Sequence, residues 1–224
     1  MKRTQLKDRI LPPYTKGEEI MNMVTHIVGG AVGVVALVLC VIRAALHGDA
    51  YAVVGSSVFG FTMILLYTMS SIYHGLNPER MSKKVFQIID HCSIFILIAG
   101  TYTPICLCSL REYSAGLGWT IFGIIWALAI IGVVLNAIDI KAFSKISMFG
   151  YIFMGWCVIL TIRQVYEAIG MGGMVFLALG GIAYTIGAVL YGIGIRKKYM
   201  HSVFHIFTVI ASLMHFFCIL FYVV

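Results

Sequence analysis

Two histidines near the end of the chain, His201 and His205, stand four residues apart in an otherwise apolar segment. On a helix this spacing puts both imidazoles on one face. His74, at the end of another apolar segment, supplies a third imidazole. Three imidazoles that leave the fourth position open are typical of a catalytic Zn²⁺ site, whereas four protein ligands are typical of a structural one. We therefore predict that His74, His201 and His205 bind Zn²⁺.

Two further side chains could complete a hydrolytic site. Zinc lowers the pKa of a bound water toward about 7, and Asp90 could take or orient the proton of that water. Ser70, one helical turn before His74, could donate a hydrogen bond to developing negative charge. The sequence leaves two alternatives open for Asp90: a salt bridge with Lys83 or Arg80, and direct binding of the metal.

The composition of the chain indicates where such a site would lie. Of the 224 residues, 61% are hydrophobic and 11% are charged, and the mean hydropathy is +0.98. A soluble domain is about half apolar and about a quarter charged, so these values predict a multi-pass protein of the cell membrane. The net charge of +7 falls in short loops, where it favours a role in membrane topology, and we expect no nucleic-acid partner.

Seven apolar stretches are long enough to cross a bilayer, which takes about twenty residues. They cover roughly residues 20–42, 51–73, 86–108, 115–136, 146–163, 173–195 and 201–223. The sequence therefore predicts an all-α membrane protein, a seven-transmembrane helix bundle over residues 20–224 preceded by a tail at 1–19. The charged tail has no apolar core that would indicate a cleaved signal peptide.

Lysine and arginine are distributed unequally between the two ends of these stretches. Thirteen lie at one end: Lys2, Arg3, Lys7, Arg9, Lys16, Arg80, Lys83, Lys84, Lys141, Lys145, Arg196, Lys197 and Lys198. Only Arg43, Arg111 and Arg163 lie at the other end. Because basic residues accumulate in cytoplasmic loops, this asymmetry predicts a cytoplasmic N-terminus and a C-terminus outside.

This topology collects polar residues in one layer at the cytoplasmic face. Five histidines share it: His26, His74, His91, His201 and His205. Polar groups within a bilayer are unfavourable and usually face a bundle interior or a wet cavity. We interpret Glu19, Asn22 and His26 as a hydrogen-bond network that supports the metal ligands. His91 and His47 are interpreted as interfacial residues, and the deeper His215 as part of a polar cavity lining.

Four motifs in this order resemble the hemolysin III family, the bacterial branch of the progestin and adipoQ receptor superfamily. They are E-x2-N-x3-H from Glu19, S-x3-H from Ser70, "DHCSIFILIAGTYTP" from Asp90 and H-x3-H from His201. The resemblance spans nearly the whole chain and implies seven helices with zinc near the cytoplasmic face. It implies the three ligands named above and a water-holding Asp90. The superfamily is similar to zinc-dependent lipid amide hydrolases, including ceramidases.

Several functions are compatible with these features. The first is a metal-dependent hydrolase that acts on an amide or ester bond of a membrane lipid, and a receptor-like protein could use the same scaffold without catalysis. The alternative is a membrane-perturbing protein, as the name hemolysin implies. Against direct pore formation, no long amphipathic segment is free to insert separately. A haem-binding electron carrier could also use membrane histidines.

Overall fold

The computed structural model describes residues 3–194 and 197–224, and within these ranges the chain is helical, with no β-strand. Lys2, Arg196 and the last residue of the sixth predicted span lie outside the described residues. The long helices are α1 (Lys16–His47), α2 (Ala50–Gly75), α3 (Met81–Pro104), α5 (Ala115–Trp156), α6 (Ile162–Gly194) and α7 (Met200–Cys218). A π-helical stretch, Ile105–Leu110, joins α3 to the short α4 (Arg111–Tyr113), and a second one, Ile219–Val223, follows α7.

Capping residues set the helix ends, which hydropathy alone places only approximately. Thr15 begins α1 with a capping box: its hydroxyl accepts a hydrogen bond from the backbone N–H of Glu18, and the Glu18 carboxylate accepts one from the backbone N–H of Thr15. Such pairs satisfy backbone donors that a helix start leaves free. The helix therefore starts four residues before the predicted span at 20–42 and ends five residues after it.

Five helical stretches are long and apolar enough to cross a membrane: Lys16–His47, Ala50–Gly75, Met81–Tyr113, Ala115–Gly194 and Met200–Val223. They confirm an all-helical, multi-pass membrane protein. The sequence predicts seven spans, whereas the structure has five such stretches among the described residues. The numbers differ because Ala115–Gly194 covers the fourth and fifth predicted spans and residues 173–194 of the sixth.

The fourth stretch is interrupted at two residues. Asp139 has an extended backbone (φ −163°, ψ 100°), and Gly170 has a positive φ of 64°. Glycine adopts positive φ without the clash that a Cβ atom causes. Asp139 begins the following helical segment as a cap, because its Oδ1 accepts hydrogen bonds from the backbone N–H groups of Lys141 and Ala142. The polypeptide thus changes direction twice between Ala115 and Gly194.

The helices pack largely in chain order around a shared interior. α1 packs on α2 and α7, α2 on α3, α3 on α5, and α6 on α7. Close approach of α2 and α3 depends on Gly100, where an added Cβ atom would lie 2.0 Å from Thr62 Oγ1. Small residues at contacts of this kind let helix backbones approach each other within lipid. The arrangement places the start of α1, the end of α2 and the start of α7 beside one another.

Candidate metal centre

The structure brings His74, His201 and His205 together in one buried cluster. One potential ligand nitrogen from each residue lies within 4.8 Å of those of the other two. The side chains come from the last turn of α2 and the first two turns of α7, and the residues are only 3%, 8% and 2% exposed. The helix contacts therefore produce the convergence that the sequence predicts, although residue 74 is separated from the pair by more than half of the chain.

Hydrogen bonds on the far side of two rings leave a nitrogen of each free for a metal. His74 Nδ1 lies 2.6 Å from Glu19 Oε2, and its Nε2 is buried without a hydrogen-bond partner among the described residues. His205 Nδ1 lies 3.3 Å from the carbonyl oxygen of Asn22. Because those oxygens accept hydrogen bonds, Nδ1 carries the proton in each ring and Nε2 presents its lone pair inward.

The spacing of the nitrogens also fits zinc. His201 Nε2 and His205 Nε2 are 3.1 Å apart. Tetrahedral Zn²⁺ with Zn–N distances of about 2.0–2.1 Å separates its ligand nitrogens by about 3.3 Å. A pair of imidazole nitrogens at this distance, with an unpaired third nitrogen nearby, is a donor set that Zn²⁺ fits.

An ion pair between Glu19 and the buried Lys83 lies behind His74. Glu19 Oε1 lies 2.8 Å from the ammonium of Lys83, whose Nζ also donates to the carbonyl oxygen of Leu76 at 2.9 Å. Lys83 is 1% exposed, which lysine tolerates only when it is paired. The Glu19 carboxylate thus contacts Lys83 through one oxygen and His74 through the other, and it orients the imidazole so that Nε2 is left free. The sequence-based alternative that Lys83 pairs with Asp90 is not what the structure shows.

Asn22, one of the three residues predicted to form a network on α1, makes hydrogen bonds to two residues of α7. Its backbone carbonyl orients His205, and its side-chain Oδ1 accepts a hydrogen bond of 2.6 Å from Ser202. The third member of that prediction behaves differently. Both ring nitrogens of His26 are buried with no hydrogen-bond partner in the described residues, and the ring stacks on His205 with centroids 3.7 Å apart. Among the described residues, His26 therefore contacts His205 by ring packing rather than by hydrogen bonding.

Asp90 lines the same cavity as His201 and His205 but does not belong to the cluster. Its Oδ2 is 3.6 Å from Nδ1 of His91. His91 Nδ1 is also 2.9 Å from the carbonyl oxygen of Gln87, to which it donates. Asp90 is not among the residues whose ligand atoms converge. Its role at a metal-bound water stays a prediction.

The cavity that joins these groups has a volume of about 240 Å³. Its polar lining includes Ser70, Asp90, His201, His205, Ser147 and Tyr191. Its apolar part is lined by residues of α3, α5 and α6, and two of the lining residues, Ile159 and Ile162, are also exposed on the lipid-facing surface. The hydroxyl of Ser70 is buried and has no hydrogen-bond partner in the described part of the chain. The cavity is thus amphiphilic, and the cluster contributes His201 and His205 to its lining.

His215 lies farther along the same cavity, as predicted from its position in the last span. Its Nε2 is 3.3 Å from the carbonyl oxygen of Leu177, and Tyr184 lies nearby with ring centroids 5.5 Å apart. His215 is not among the clustered ligands.

Two residues at the site were not predicted from the sequence. Lys83 stands seven positions before Asp90, so the two residues share one face of the helix. This spacing is a sequence signal that could have placed Lys83 in the interior of the bundle. Tyr14, from the predicted tail, lies over the cluster, with its ring stacked on His201 at a centroid distance of 4.9 Å. Burial is the main cause that raises the pKa of Tyr14 above its usual value, so the ring stays uncharged. No periodicity marks Tyr14, because it precedes the first helix.

Comparisons with known proteins cover almost the whole chain. The family described as Haemolysin-III related matches residues 14–216. Hemolysin-3 of Bacillus cereus is 41% identical over 206 residues, which is 92% of each chain. The Hemolysin-3 homolog of Bacillus subtilis (strain 168) is 39% identical over 213 residues, 94% of this chain and 97% of the relative. The human Monocyte to macrophage differentiation factor is more distant, 23% identical over 78% of this chain and 72% of its own length.

Proposed function

The chain belongs to the Haemolysin-III related family, and we propose that it is a zinc-dependent hydrolase of an amide or ester bond in a membrane lipid. The observation that carries the proposal is that two of the three clustered imidazoles, those of His201 and His205, line a largely apolar cavity. An acyl chain would occupy the apolar part, and its carbonyl group would then reach the imidazoles.

Each residue of the site has a definite task in this proposal. His74, His201 and His205 would hold Zn²⁺, which when bound would supply Lewis acidity to a carbonyl group and to water. Asp90 orients the attacking water and accepts its proton. The unpaired hydroxyl of Ser70 donates a hydrogen bond to the carbonyl oxygen as negative charge develops there.

The proposal includes seven membrane crossings, with the N-terminus in the cytoplasm and the C-terminus outside. A helix of 80 residues would be about 120 Å long, four times the thickness of the bilayer interior. The non-helical residues Asp139 and Gly170 divide Ala115–Gly194 into lengths of 24, 30 and 24 residues (115–138, 140–169 and 171–194), each able to cross once. The thirteen-to-three distribution of basic residues supports the orientation.

Cysteine labelling of intact cells tests this topology. In a background without the native cysteines, a membrane-impermeant maleimide is expected to label Glu112→Cys and Val224→Cys but not Lys84→Cys or Lys197→Cys. Permeabilised cells provide the control, because all four sites should then react. Labelling of Lys197→Cys, but not of Val224→Cys, in intact cells would reverse the orientation.

A second candidate function is membrane perturbation. It is favoured by the names of the two bacterial relatives, Hemolysin-3 and Hemolysin-3 homolog. Such a protein would make lipid vesicles leak without cleaving their lipids.

One purified preparation distinguishes the two functions. The zinc-loaded protein, reconstituted in vesicles that contain a dye, is supplied with a panel of N-acyl and O-acyl lipids. We expect release of free fatty acid from at least one lipid, and we expect a chelator to abolish this release while the dye is retained. Dye leakage without fatty acid release would favour the cytolytic function and contradict the hydrolase.

A further inference from the structure

The segment before α1 lies across the metal centre. We call residues 3–15 the N-terminal strap. At its far end, the side chain of Arg3 donates from Nε to the carbonyl oxygen of Ile138 at 3.0 Å, and the backbone N–H of Thr4 donates to Asp139 Oδ2 at 2.8 Å. The strap is therefore fastened at the break in α5.

The strap is held at two more places before it enters α1. Lys84, in the first turn of α3, donates from Nζ to the carbonyl oxygen of Lys7 at 2.6 Å. Near the other end, Glu18 accepts hydrogen bonds from the backbone N–H of Thr15 at 2.9 Å and from that of Tyr199 at 2.7 Å. Glu18 thus connects the end of the strap to the residue that precedes α7.

Between these attachments the strap places one aromatic ring on the imidazoles. The ring of Tyr14 is stacked on that of His201, with an interplanar angle of 23°, and lies 5.8 Å from the ring of His74. Such ring pairs contribute about 0.5–1.5 kcal/mol beyond their buried area. Among the described residues, Tyr14 contacts the cluster through a stacked ring pair with His201 and a tilted one with His74, and not through side-chain hydrogen bonds. The ring can therefore leave without breaking a polar network.

We propose that the N-terminal strap is a lid over the three-histidine site, which the ring of Tyr14 covers. The lid separates the site from water on the side of the membrane where the strap lies. The lid directs access to the amphiphilic cavity, which reaches the lipid-facing surface at Ile159 and Ile162. It thereby selects substrates that come from the bilayer over water-soluble amides and esters. This part of the inference rests on the proposed function.

The Asp139 carboxylate gives the lid a latch. Its Oδ1 caps the helical segment that follows the break, and its Oδ2 holds Thr4 of the strap. Arg3 binds two free carbonyl groups at the end of the preceding segment, those of Ala137 and Ile138. Opening the strap at this point leaves the helix cap in place, because the two oxygens of one carboxylate serve different partners.

Metal removal in nanodiscs, where both membrane faces are accessible, tests the lid. EDTA is water-soluble and charged, whereas 1,10-phenanthroline is apolar and can enter from the lipid. We expect EDTA to remove zinc from Tyr14→Ala about tenfold faster than from the wild type, since one aromatic stack is lost. The rate with phenanthroline should stay the same. Tyr113→Ala, which truncates an exposed tyrosine away from the strap, is the matched control and should behave as the wild type.

Arg3→Ala weakens the attachment of the strap at the break in α5, while Tyr14 remains in place. We expect it to increase the rate of zinc removal by EDTA, but by a smaller factor than Tyr14→Ala. This variant also carries the test if Tyr14→Ala fails to fold. Equal rates of zinc removal by EDTA from the wild type and the strap variants would overturn the proposal of a lid.

A thiol readout separates failure of the lid from failure of the zinc site. His201→Cys places a thiol directly under Tyr14, and intact mass reports its labelling by a positively charged methanethiosulfonate. We expect His201→Cys/Tyr14→Ala to be labelled faster than His201→Cys, whether or not the wild type binds zinc. If the wild type contains no zinc but this difference is found, the hydrolase proposal fails and the lid stands. If the two labelling rates are equal, the lid is wrong.

Discussion

Replacement of His205 by alanine is expected to reduce bound zinc from about one ion per chain to a level close to zero, because only two of the three protein ligands remain. His205 is 2% exposed, and its Nε2 lies 3.1 Å from that of His201. Elemental analysis of the purified variant in detergent measures the effect.

Two other variants make the zinc measurement specific. His47→Ala removes an exposed histidine at the far end of α1 and should retain all the zinc. Glu19→Gln keeps the three ligands but removes the charge beside His74, and it should weaken zinc binding by about 10–100-fold. Full zinc occupancy in His205→Ala would show that the ligand assignment is wrong.

Asp90→Asn is expected to retain most of the zinc and to slow lipid hydrolysis by about 10²–10⁴-fold, the usual contribution of general acid–base catalysis. The substitution preserves the shape of a side chain that lines the cavity beside His201 and His205. It removes the carboxylate that would accept a proton from water. Zinc content, thermal stability and fatty acid release are measured on one preparation.

These three measurements separate the possible roles of Asp90. A salt-bridge role predicts reduced thermal stability, and direct ligation predicts a clear loss of zinc. The control is Glu167→Gln, which changes a carboxylate paired with the exposed Arg163 and should alter none of the three. A folded, zinc-loaded and fully active Asp90→Asn protein would exclude the proposed role in catalysis.

The sequence by itself determined the class of fold and the members of the histidine cluster. Apolar stretches of about twenty residues have one stable environment, the bilayer, and there the backbone must form helices. Histidines next to the ends of such stretches are thereby confined to a narrow range of depths, which reduces the possible partners of His201 and His205 to a few. The i, i+4 spacing then fixes their common face, so the sequence is sufficient to add His74 as their partner.

The helix ends and breaks were less accessible to sequence reasoning. Hydropathy averages over many residues, whereas a helix end depends on single side chains such as Thr15 at the start of α1. The break at Asp139 likewise depends on a carboxylate that caps the next segment. Neither signal changes the average apolarity of its surroundings, so the predicted span at 20–42 is shorter than α1.

Only the tertiary structure decided what surrounds the cluster. Lys83 lies near the start of α3 and could be counted as a topological charge, yet it is buried against Glu19 because α1, α2 and α3 meet there. Tyr14 reaches His201 because the strap is fastened at Asp139, more than a hundred residues away in sequence. Periodicity indicates which face of one helix is polar. The residue that contacts this face is determined by packing between segments far apart in the chain, and local sequence does not encode that packing.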